Sequence, residues 1–300
     1  MKRLIKYIFG FPLALIFFRF PFFNRYGNYL VSTWHNTNNM SKLDHFLCPA
    51  IYYSWINYVY WREPDPDKRE ALKSIAMGGE SGGNWAKFYN DTKLDLTSKV
   101  GTMQLKDANP LYVDIAEYLD KLSEKKRVVV QIGSSSGRET AYFSNLFPKI
   151  KFIGTDIYDS VIEFSKQKHS FENLSFEKFS AQDLHFLLSN YKQNELVVYS
   201  SGSLQYVQPE HMGKMFEDLV RFPDLRIFLL EPSENANKKP NEIQGSSWRA
   251  NFSYTHDYKF YAERAGFKTI KNLIINPYLS DDPTHHSTCH YYYIGESNPS

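Results

Sequence analysis

Cysteine is scarce in this sequence, and its scarcity excludes two classes of protein. Only Cys48 and Cys289 occur in 300 residues, and neither has a partner at Cys-x-x-Cys spacing. Two such distant residues form neither the disulfide framework of a small secreted domain nor the paired ligands of a structural zinc site. We therefore expect a reducing compartment, with a single bridge between the two cysteines as the alternative.

A bias toward one sign of charge is also lacking. The formal net charge is +2 at pH 7, and no run of Lys and Arg resembles a nucleic-acid footprint. We expect no nucleic-acid partner. No long stretch is polar and low in complexity and no internal repeat occurs, so the chain is able to bury a sizeable core.

The apolar run near the N-terminus, residues 7–18, is too short to span a membrane. Its 12 residues give about 18 Å of helix against a hydrocarbon core of roughly 30 Å. Arg19 follows the run, and no small-x-small cleavage site of a signal peptide does. We expect residues 4–23 to make peripheral contact with the cytoplasmic face of a membrane, and hence a cytoplasmic protein. The alternative is a helix buried against the main domain.

Composition divides the chain into three parts. Residues 1–27 form the hydrophobic, basic segment, and residues 28–110 are rich in aromatic side chains and turn clusters. The tryptophans of this second part suggest a cover over a ligand site, with a purely structural subdomain as the alternative. Residues 111–300 form the third part, which carries the strand and helix patterns.

Short apolar runs alternate with helical patterns between residues 111 and 232. Five of these runs predict buried strands, at residues 128–132, 151–156, 174–179, 195–199 and 226–230. The stretches between them contain apolar residues at helical spacing. This alternation predicts an α/β fold, with a parallel sheet covered by helices on both faces. Ligands bind such a sheet at the carboxyl ends of its strands.

Two features stand after the first two predicted strands. The small residues 133–137 form a turn that opens a helix, which lets the backbone approach a ligand and presents unpaired N–H groups to it. Asp156 follows Gly133 by 23 positions, where an acidic residue accepts hydrogen bonds from ribose hydroxyls. The alternatives are an ordinary turn and a helix-capping role for Asp156. Together the two features predict a nucleoside cofactor, and the Gly-x-x-x-Gly spacing fits the dinucleotide fingerprint poorly.

Five segments resemble, in order and spacing, the motifs of class I S-adenosylmethionine-dependent methyltransferases. They are residues 129–139 (motif I, with Ser135 where a glycine is common), 152–166, 176–186 (motif II), 195–207 and 258–267. The resemblance covers roughly residues 110–295. It implies a Rossmann-like, doubly wound, mostly parallel seven-stranded sheet with helices on both faces, after an aromatic-rich N-terminal extension. It also implies S-adenosyl-L-methionine as the cofactor.

The same resemblance implies which residues contact the cofactor. The implied contacts are Gln131, Gly133, Ser134, Ser135 and Gly137 to the methionine and ribose, Asp156 to the ribose, Ile157, Ala181, Gln182 and Asp183 to the adenine, and Ser200, Ser201 and Gly202 beside the reactive methyl group. Gln131 departs from the acidic residue that is common there. Either Ser180 or Asp183 supplies the side chain that reads the adenine.

Methyl transfer to a hydroxyl also requires removal of a proton. We predict His256 and Glu231 as catalytic residues, with Asp257 and His211 as further candidate bases. The alternative is a surface histidine beside Asp257 as a helix cap. The cluster of His285, His286, Cys289 and His290 lacks the two-pair spacing of structural zinc, so we expect no metal.

These observations favour a methyltransferase that modifies an oxygen of a small-molecule, glycan or lipid-linked acceptor. The Asn/Asp-Pro-Pro-Tyr/Phe signature of amino methylation is absent near residue 200. The first alternative is an NAD-dependent oxidoreductase or epimerase on a related fold. The second is a methyltransferase-like binding protein without activity. The sequence leaves the acceptor and the oligomeric state open.

Overall fold

The structure is a computed structural model, and it describes part of the chain. The described residues are 25–27, 29–30, 41, 51–52, 55, 59–60, 62–76, 110–121, 126–233, 245–250, 252–275 and 289–298. Contacts divide the chain into two compact units, Met1–Asn84 and Trp85–Ser300. The predicted divisions after residues 27 and 110, and the predicted cover, concern segments mostly outside the described residues and stay predictions.

Within the first unit, the described residues include one regular helix, α1 (Pro66–Ala76). The Asp65 side chain begins this helix, because its Oδ1 accepts the backbone N–H groups of Asp67 (3.0 Å) and Lys68 (3.3 Å). Residues 4–23 lie outside the described residues, so their predicted membrane contact stays a prediction. Among the helices that the structure does describe, none combines the length and apolar character needed to cross a bilayer.

The second unit consists of alternating strands and helices followed by a hairpin and a final antiparallel strand. Its elements are α2 (Pro110–Asp120), β1 (Arg127–Ile132), α3 (Arg138–Leu146), β2 (Lys151–Asp156), α4 (Asp159–Lys168), β3 (Leu174–Lys178), α5 (Leu184–Leu188), β4 (Glu195–Ser201), α6 (Pro209–Leu219), β5 (Arg226–Ser233), β6 (Ser246–Ala250), β7 (Ser253–His256), α7 (Tyr258–Ala265), β8 (Lys268–Ile275) and β9 (Cys289–Glu296). Two 3-10 turns, Ser189–Tyr191 and Leu204–Tyr206, follow α5 and β4.

Seven of these strands form one sheet in the order β3-β2-β1-β4-β5-β9-β8. Strands β1 to β5 are parallel to one another, and β9 runs antiparallel between β5 and β8. Strand order reverses between β1 and β4, where the chain crosses from one half of the sheet to the other. The predicted doubly wound, mostly parallel sheet is therefore confirmed.

Each face of the sheet carries its own hydrophobic core. Alternate residues of β1 point to opposite faces, so Val128 and Val130 belong to the core that includes residues of α5, α6 and α7, whereas Val129 belongs to the core that includes residues of α2 and α3. This alternation explains why β1 is buried along its whole length and reads as a continuous apolar run.

The five strands predicted between residues 128 and 230 are all present, with ends within a few residues of those expected. Strands β6 and β7 form a hairpin, a separate two-stranded sheet that was not predicted from the sequence. The hairpin packs beside β5 and the 3-10 turn after β4. It therefore lies near the carboxyl ends of the central strands.

Candidate active site

The turn after β1 is held in a conformation that suits small residues. Gly133, Ser135 and Gly137 all have positive φ, of 66°, 48° and 73°. A Cβ atom on Gly133 would lie 2.1 Å from the Ser203 hydroxyl, which shows how closely the loop after β4 approaches this turn. The Ser203 hydroxyl donates a hydrogen bond to the Gly133 carbonyl (3.2 Å).

Asp156, at the end of β2, faces this turn. Its Oδ2 accepts the backbone N–H of Ser135 (3.2 Å), and its Oδ1 accepts that of Tyr158 (3.3 Å). Burial raises the pKa of the Asp156 carboxyl, and the N–H groups of Tyr158 and Ser135 oppose that rise. The turn after β1 and the carboxylate after β2 thus meet at one place.

The segment after β3 continues from the same place. The backbone N–H of Phe179 donates to the carbonyl of Asp156 (3.2 Å). The Ser180 hydroxyl donates to the Asp183 carboxylate (2.7 Å), so the two candidate side chains lie in direct contact. Ala181, which lies between them in the sequence, is buried. Ile157, which directly follows β2, is 39% exposed.

Glu231, at the carboxyl end of β5, lies under the loop after β4. Its Oε1 accepts the Ser200 hydroxyl (2.6 Å) and the backbone N–H of Ser203 (3.2 Å), and its Oε2 accepts the backbone N–H of Gln205 (3.3 Å). Burial raises the pKa of Glu231 to about 7, against the opposing effect of these hydrogen bonds. Its side chain is fully buried, and its hydrogen bonds hold Ser203 and Gln205 of this loop. The predicted catalytic role of Glu231 stays a prediction.

Gln131 is buried near the end of β1, and its side-chain amide has several hydrogen-bond partners. Its Nε2 donates to Glu139 (2.8 Å), and its Oε1 accepts the hydroxyls of Tyr199 (2.9 Å) and Thr140. Glu139 also accepts the Tyr112 hydroxyl. The Gln131 amide is therefore part of a buried polar network that connects β1 to α3.

His256 ends β7 and is fully buried. Its Nδ1 lies 2.6 Å from the Ser246 hydroxyl, which also contacts the Tyr261 hydroxyl (2.8 Å). Burial lowers the pKa of His256 to about 3, although the backbone groups of Val207 and Leu204 partly oppose that effect. The imidazole is therefore neutral at pH 7 and far from the pKa that suits a general base.

The two further candidate bases are Asp257 and His211. Asp257 caps α7, because its Oδ1 accepts the backbone N–H of Phe260 (3.0 Å) and the Tyr291 hydroxyl (2.9 Å). His211 lies in the first turn of α6. His290 belongs to β9, and His285 and His286 lie outside the described residues. No group of three metal-ligating side chains occurs within the part of the chain that the structure describes.

Sequence reasoning missed four residues that shape this site: Glu139, Ser203, Gln205 and Arg249. Arg249 Nη1 donates to the Gln205 side-chain carbonyl (2.8 Å), and the Gln205 amide donates to the Gly202 carbonyl (2.7 Å). The sequence offered one signal for Arg249. Two short runs that contain Trp248 and Tyr254 flank residue 251, a pattern that is typical of a hairpin.

Several solved structures resemble this chain. Magnesium protoporphyrin IX methyltransferase from Synechocystis PCC 6803, with bound SAH, aligns at 15% identity and a TM-score of 0.50, over 77% of this chain and 100% of that one. A SAM-dependent methyltransferase from Anabaena variabilis aligns at 16% identity and a TM-score of 0.45, over 73% and 95%. The [4+2]-cyclase SpnF aligns at 9% identity and a TM-score of 0.47, over 62% and 80%.

No protein-family model and no curated protein sequence matches the chain. The strand order and the likeness to the Synechocystis enzyme agree, and the chain has the Rossmann-like fold of the class I S-adenosylmethionine-dependent methyltransferases. At this level of identity the likeness concerns the fold, and the reaction has to be argued from the site.

Proposed function

We propose that the unit Trp85–Ser300 is an S-adenosylmethionine-dependent methyltransferase. One observation carries this proposal: the 3.2 Å hydrogen bond from the Ser135 N–H to Asp156. It joins the small-residue turn after β1 to the carboxylate after β2, so that both are within reach of one ribose. The turn opens helix α3, whose first N–H groups are available to polar ligand atoms.

The residues present fit this cofactor. A carboxylate has about four acceptor positions, so Asp156 retains capacity for a ribose hydroxyl beyond the backbone N–H groups that it accepts. The Ser134 hydroxyl is buried and, within the described part of the chain, has no hydrogen-bond partner. A buried polar group of this kind is costly unless a ligand satisfies it. S-adenosylmethionine supplies a methyl group activated on a sulfonium centre.

We assign the roles within the site as the sequence resemblance implies. Residues 133–137 hold the methionine and ribose, and Asp156 holds the ribose hydroxyls. The segment after β3 reads the adenine through Asp183 or Ser180, beside the exposed edge of Ile157. The loop from Ser200 to Gly202 closes the methyl end, held from below by Glu231.

We propose an oxygen of a small-molecule, glycan or lipid-linked compound as the methyl acceptor. The two predicted bases, His256 and Glu231, are both fully buried. An acceptor oxygen that is ionised near neutral pH, such as a carboxylate or an acidic phenol, requires no base from either residue. The burial of His256 and Glu231 thus favours that kind of oxygen over a simple alcohol.

The two alternatives make different binding predictions. An NAD-dependent oxidoreductase or epimerase would bind NAD through a pyrophosphate contact, which usually uses three glycines. This chain has Ser135 in place of one of them. A non-catalytic protein would bind S-adenosylmethionine without transferring its methyl group.

Calorimetry with S-adenosylmethionine, S-adenosylhomocysteine and NAD tests the proposal. We expect both adenosyl compounds to bind and NAD not to bind. Asp156→Asn should weaken their binding roughly tenfold or more, because charged acceptors form the stronger hydrogen bonds. Asp159→Asn is the matched control, since Asp159 is exposed and pairs with Lys178 on the surface (2.5 Å). Binding of NAD alone would overturn the proposal.

A second proposal concerns the N-terminal segment. We propose that residues 4–23 contact a membrane surface, on the basis of the cation-flanked aromatic pattern of the sequence. The test is sedimentation of the full chain with vesicles that contain anionic lipid. Leu13→Glu with Phe17→Glu should release the protein from the vesicles, and equal sedimentation of both forms would contradict the proposal.

A further inference from the structure

Arg249 occupies a special position in the β6–β7 hairpin. The register of the two strands shifts between Trp248 and Ala250, so Arg249 is the extra residue of a β-bulge. Bulges redirect a side chain out of the ordinary alternation of a strand and are frequent beside active sites. Here the Arg249 side chain reaches the loop after β4, where its Nη1 donates to the Gln205 side chain over 2.8 Å.

That loop connects Arg249 to the cofactor turn. Gln205 donates through its backbone N–H to Glu231 and through its side chain to the Gly202 carbonyl. Two residues earlier, the Ser203 hydroxyl donates to the Gly133 carbonyl. The guanidinium is therefore attached to the same short loop that contacts the turn after β1.

The hairpin that carries Arg249 is anchored by hydrogen bonds, and the guanidinium itself is held by Gln205. The Tyr254 hydroxyl donates to Gln208 over 2.9 Å in a buried contact. The Asp257 N–H donates to the Gly245 carbonyl (2.7 Å), which closes the open end of the hairpin. An arginine that is held in place before a ligand arrives loses less conformational entropy when it binds.

The Arg249 guanidinium has no carboxylate partner among the described residues. Among the described residues its hydrogen-bond partner is a neutral amide, although a guanidinium carries five N–H donors. Glu231 is nearby, but its oxygens are occupied by Ser200, Ser203 and Gln205. Most of the donors of Arg249 are thus uncommitted within the described structure.

The Tyr258 hydroxyl lies in the same neighbourhood. The Tyr258 hydroxyl is fully buried and forms no hydrogen bond with any residue that the structure describes. Burial raises the pKa of this hydroxyl; Glu231 raises it further and Arg249 opposes that rise, so both charged groups act on it. A half-buried cation and an unsatisfied hydroxyl therefore share one region, at the methyl end of the candidate site.

We propose that Arg249 binds an anionic group, a carboxylate or a phosphate, on the methyl acceptor. The guanidinium fork matches two oxygens of either group, and a partly desolvated site strengthens that contact. The inference rests on the proposed function, because it takes the Gly202–Gln205 loop to be the wall between cofactor and acceptor. It narrows the acceptor to compounds that carry an oxyanion, either at the reacting position or next to it.

The experiment follows the Arg249 Nε–H resonance by NMR in protein saturated with S-adenosylhomocysteine. The probes are phenyl phosphate and benzoate, titrated separately at constant ionic strength. We expect a saturable shift of this resonance with at least one probe, and the probe that acts distinguishes phosphate from carboxylate. Arg249→Gln assigns the resonance and should abolish the binding. Arg249→Lys should weaken binding roughly tenfold, because an ammonium group replaces a two-pronged contact by a single one.

Arg264→Gln is the matched control, because Arg264 is an exposed arginine on α7 that stacks on Phe260. It should leave probe binding unchanged. If neither probe moves the Arg249 resonance, or if Arg264 responds equally, the acceptor subsite is wrong while the methyltransferase proposal stands. If S-adenosylhomocysteine itself fails to bind, the proposed function fails and the subsite falls with it.

Discussion

The side-chain amide of Gln131 donates a hydrogen bond to the carboxylate of Glu139 over 2.8 Å. The sequence resemblance places an acidic residue at position 131, and this chain has the carboxylate on α3 instead. The other end of the amide accepts the Tyr199 and Thr140 hydroxyls, so its orientation is fixed. Burial raises the pKa of Glu139, and the hydrogen bonds from Tyr112 and Gln131 oppose that rise.

This pair gives a first prediction. Gln131→Glu should destabilise the protein at pH 8 by about 2 kcal/mol, because two carboxylates at this distance cannot both stay ionised without penalty. Gln131→Glu combined with Glu139→Gln should recover most of that loss, since an amide again faces a carboxylate. Urea unfolding of the four forms measures the coupling. If the double variant loses as much unfolding free energy as the two single variants together, an amide facing a carboxylate is not what stabilises this pair.

The contact of Gly133 with Ser203 gives a second prediction. Gly133 and Gly202 both have positive φ, of 66° and 77°, so alanine costs about 1–2 kcal/mol at either position from backbone strain. Only at Gly133 would the new Cβ also collide, because Ser203 Oγ and Cβ lie 2.1 and 2.4 Å from it. At Gly202 the nearest atom is 3.9 Å away.

Gly133→Ala should therefore be less stable than Gly202→Ala by about 2 kcal/mol, the usual cost of overpacking. The measurement is the midpoint and slope of urea unfolding for both variants. Equal losses at the two positions would mean that the loop after β4 moves away from the turn at no cost. The tight approach of Ser203 to Gly133 would then be irrelevant to stability.

The strand and helix pattern of the second unit was predictable because it depends on local periodicity. Continuous apolar runs such as residues 128–132 are what a strand buried on both faces requires, and β1 has both cores against it. The meeting of Asp156 with the turn at Ser135 was also predictable, because parallel strands end at the same edge.

Other parts of the site depend on contacts between distant residues, which periodicity does not reveal. The amide of Gln131 faces Glu139 and Tyr199, and the latter is 68 positions away along the chain. The enclosure of His256 depends on the pairing of a hairpin, which places Ser246 against it. Arg249 has its position because of a bulge, and a bulge has no composition signal of its own.

The enclosure of His256 gives a third prediction, about acid stability. Its pKa is about 3 in the folded protein, whereas an exposed histidine titrates near 6.5. The unfolded chain therefore binds a proton first, and the stability contributed by the neutral, buried ring is lost progressively as pH falls below 6.5. His256→Gln should make the unfolding free energy less dependent on pH between 6.5 and 4.

The control for this experiment is His211→Gln, since His211 lies on α6 and is only partly buried. Urea unfolding at several pH values gives the slope for each form. We expect the His211 variant to retain the slope of the unsubstituted protein. A slope that is the same in all three forms would contradict the buried, neutral state of His256.

The Glu231 carboxyl gives a fourth prediction, with the opposite dependence on pH. Its pKa is about 7 in the fold, above the ordinary value of 4.5, because burial disfavours the charge. Its contribution to stability is therefore complete below pH 4.5 and is lost as pH rises through 7. Below pH 7 the protonated group resembles a glutamine, with one oxygen that accepts and one group that donates. Glu231→Gln should thus be close to the unsubstituted protein at pH 5.5, and more stable than it at pH 8 by about 1–2 kcal/mol.

Urea unfolding at these two pH values measures the difference, with Glu217→Gln as the control because Glu217 is an exposed carboxylate on α6.

Cofactor binding at the loop after β4 should change in the opposite direction to stability. Ionised Glu231 accepts the N–H groups of Ser203 and Gln205 together, whereas glutamine would direct an N–H group toward one of them. At pH 8 the variant should therefore bind S-adenosylhomocysteine more weakly despite its greater stability. If the variant at pH 8 showed both weaker binding and lower stability, binding and stability would not change in opposite directions. Glu231 would then support the fold as a whole.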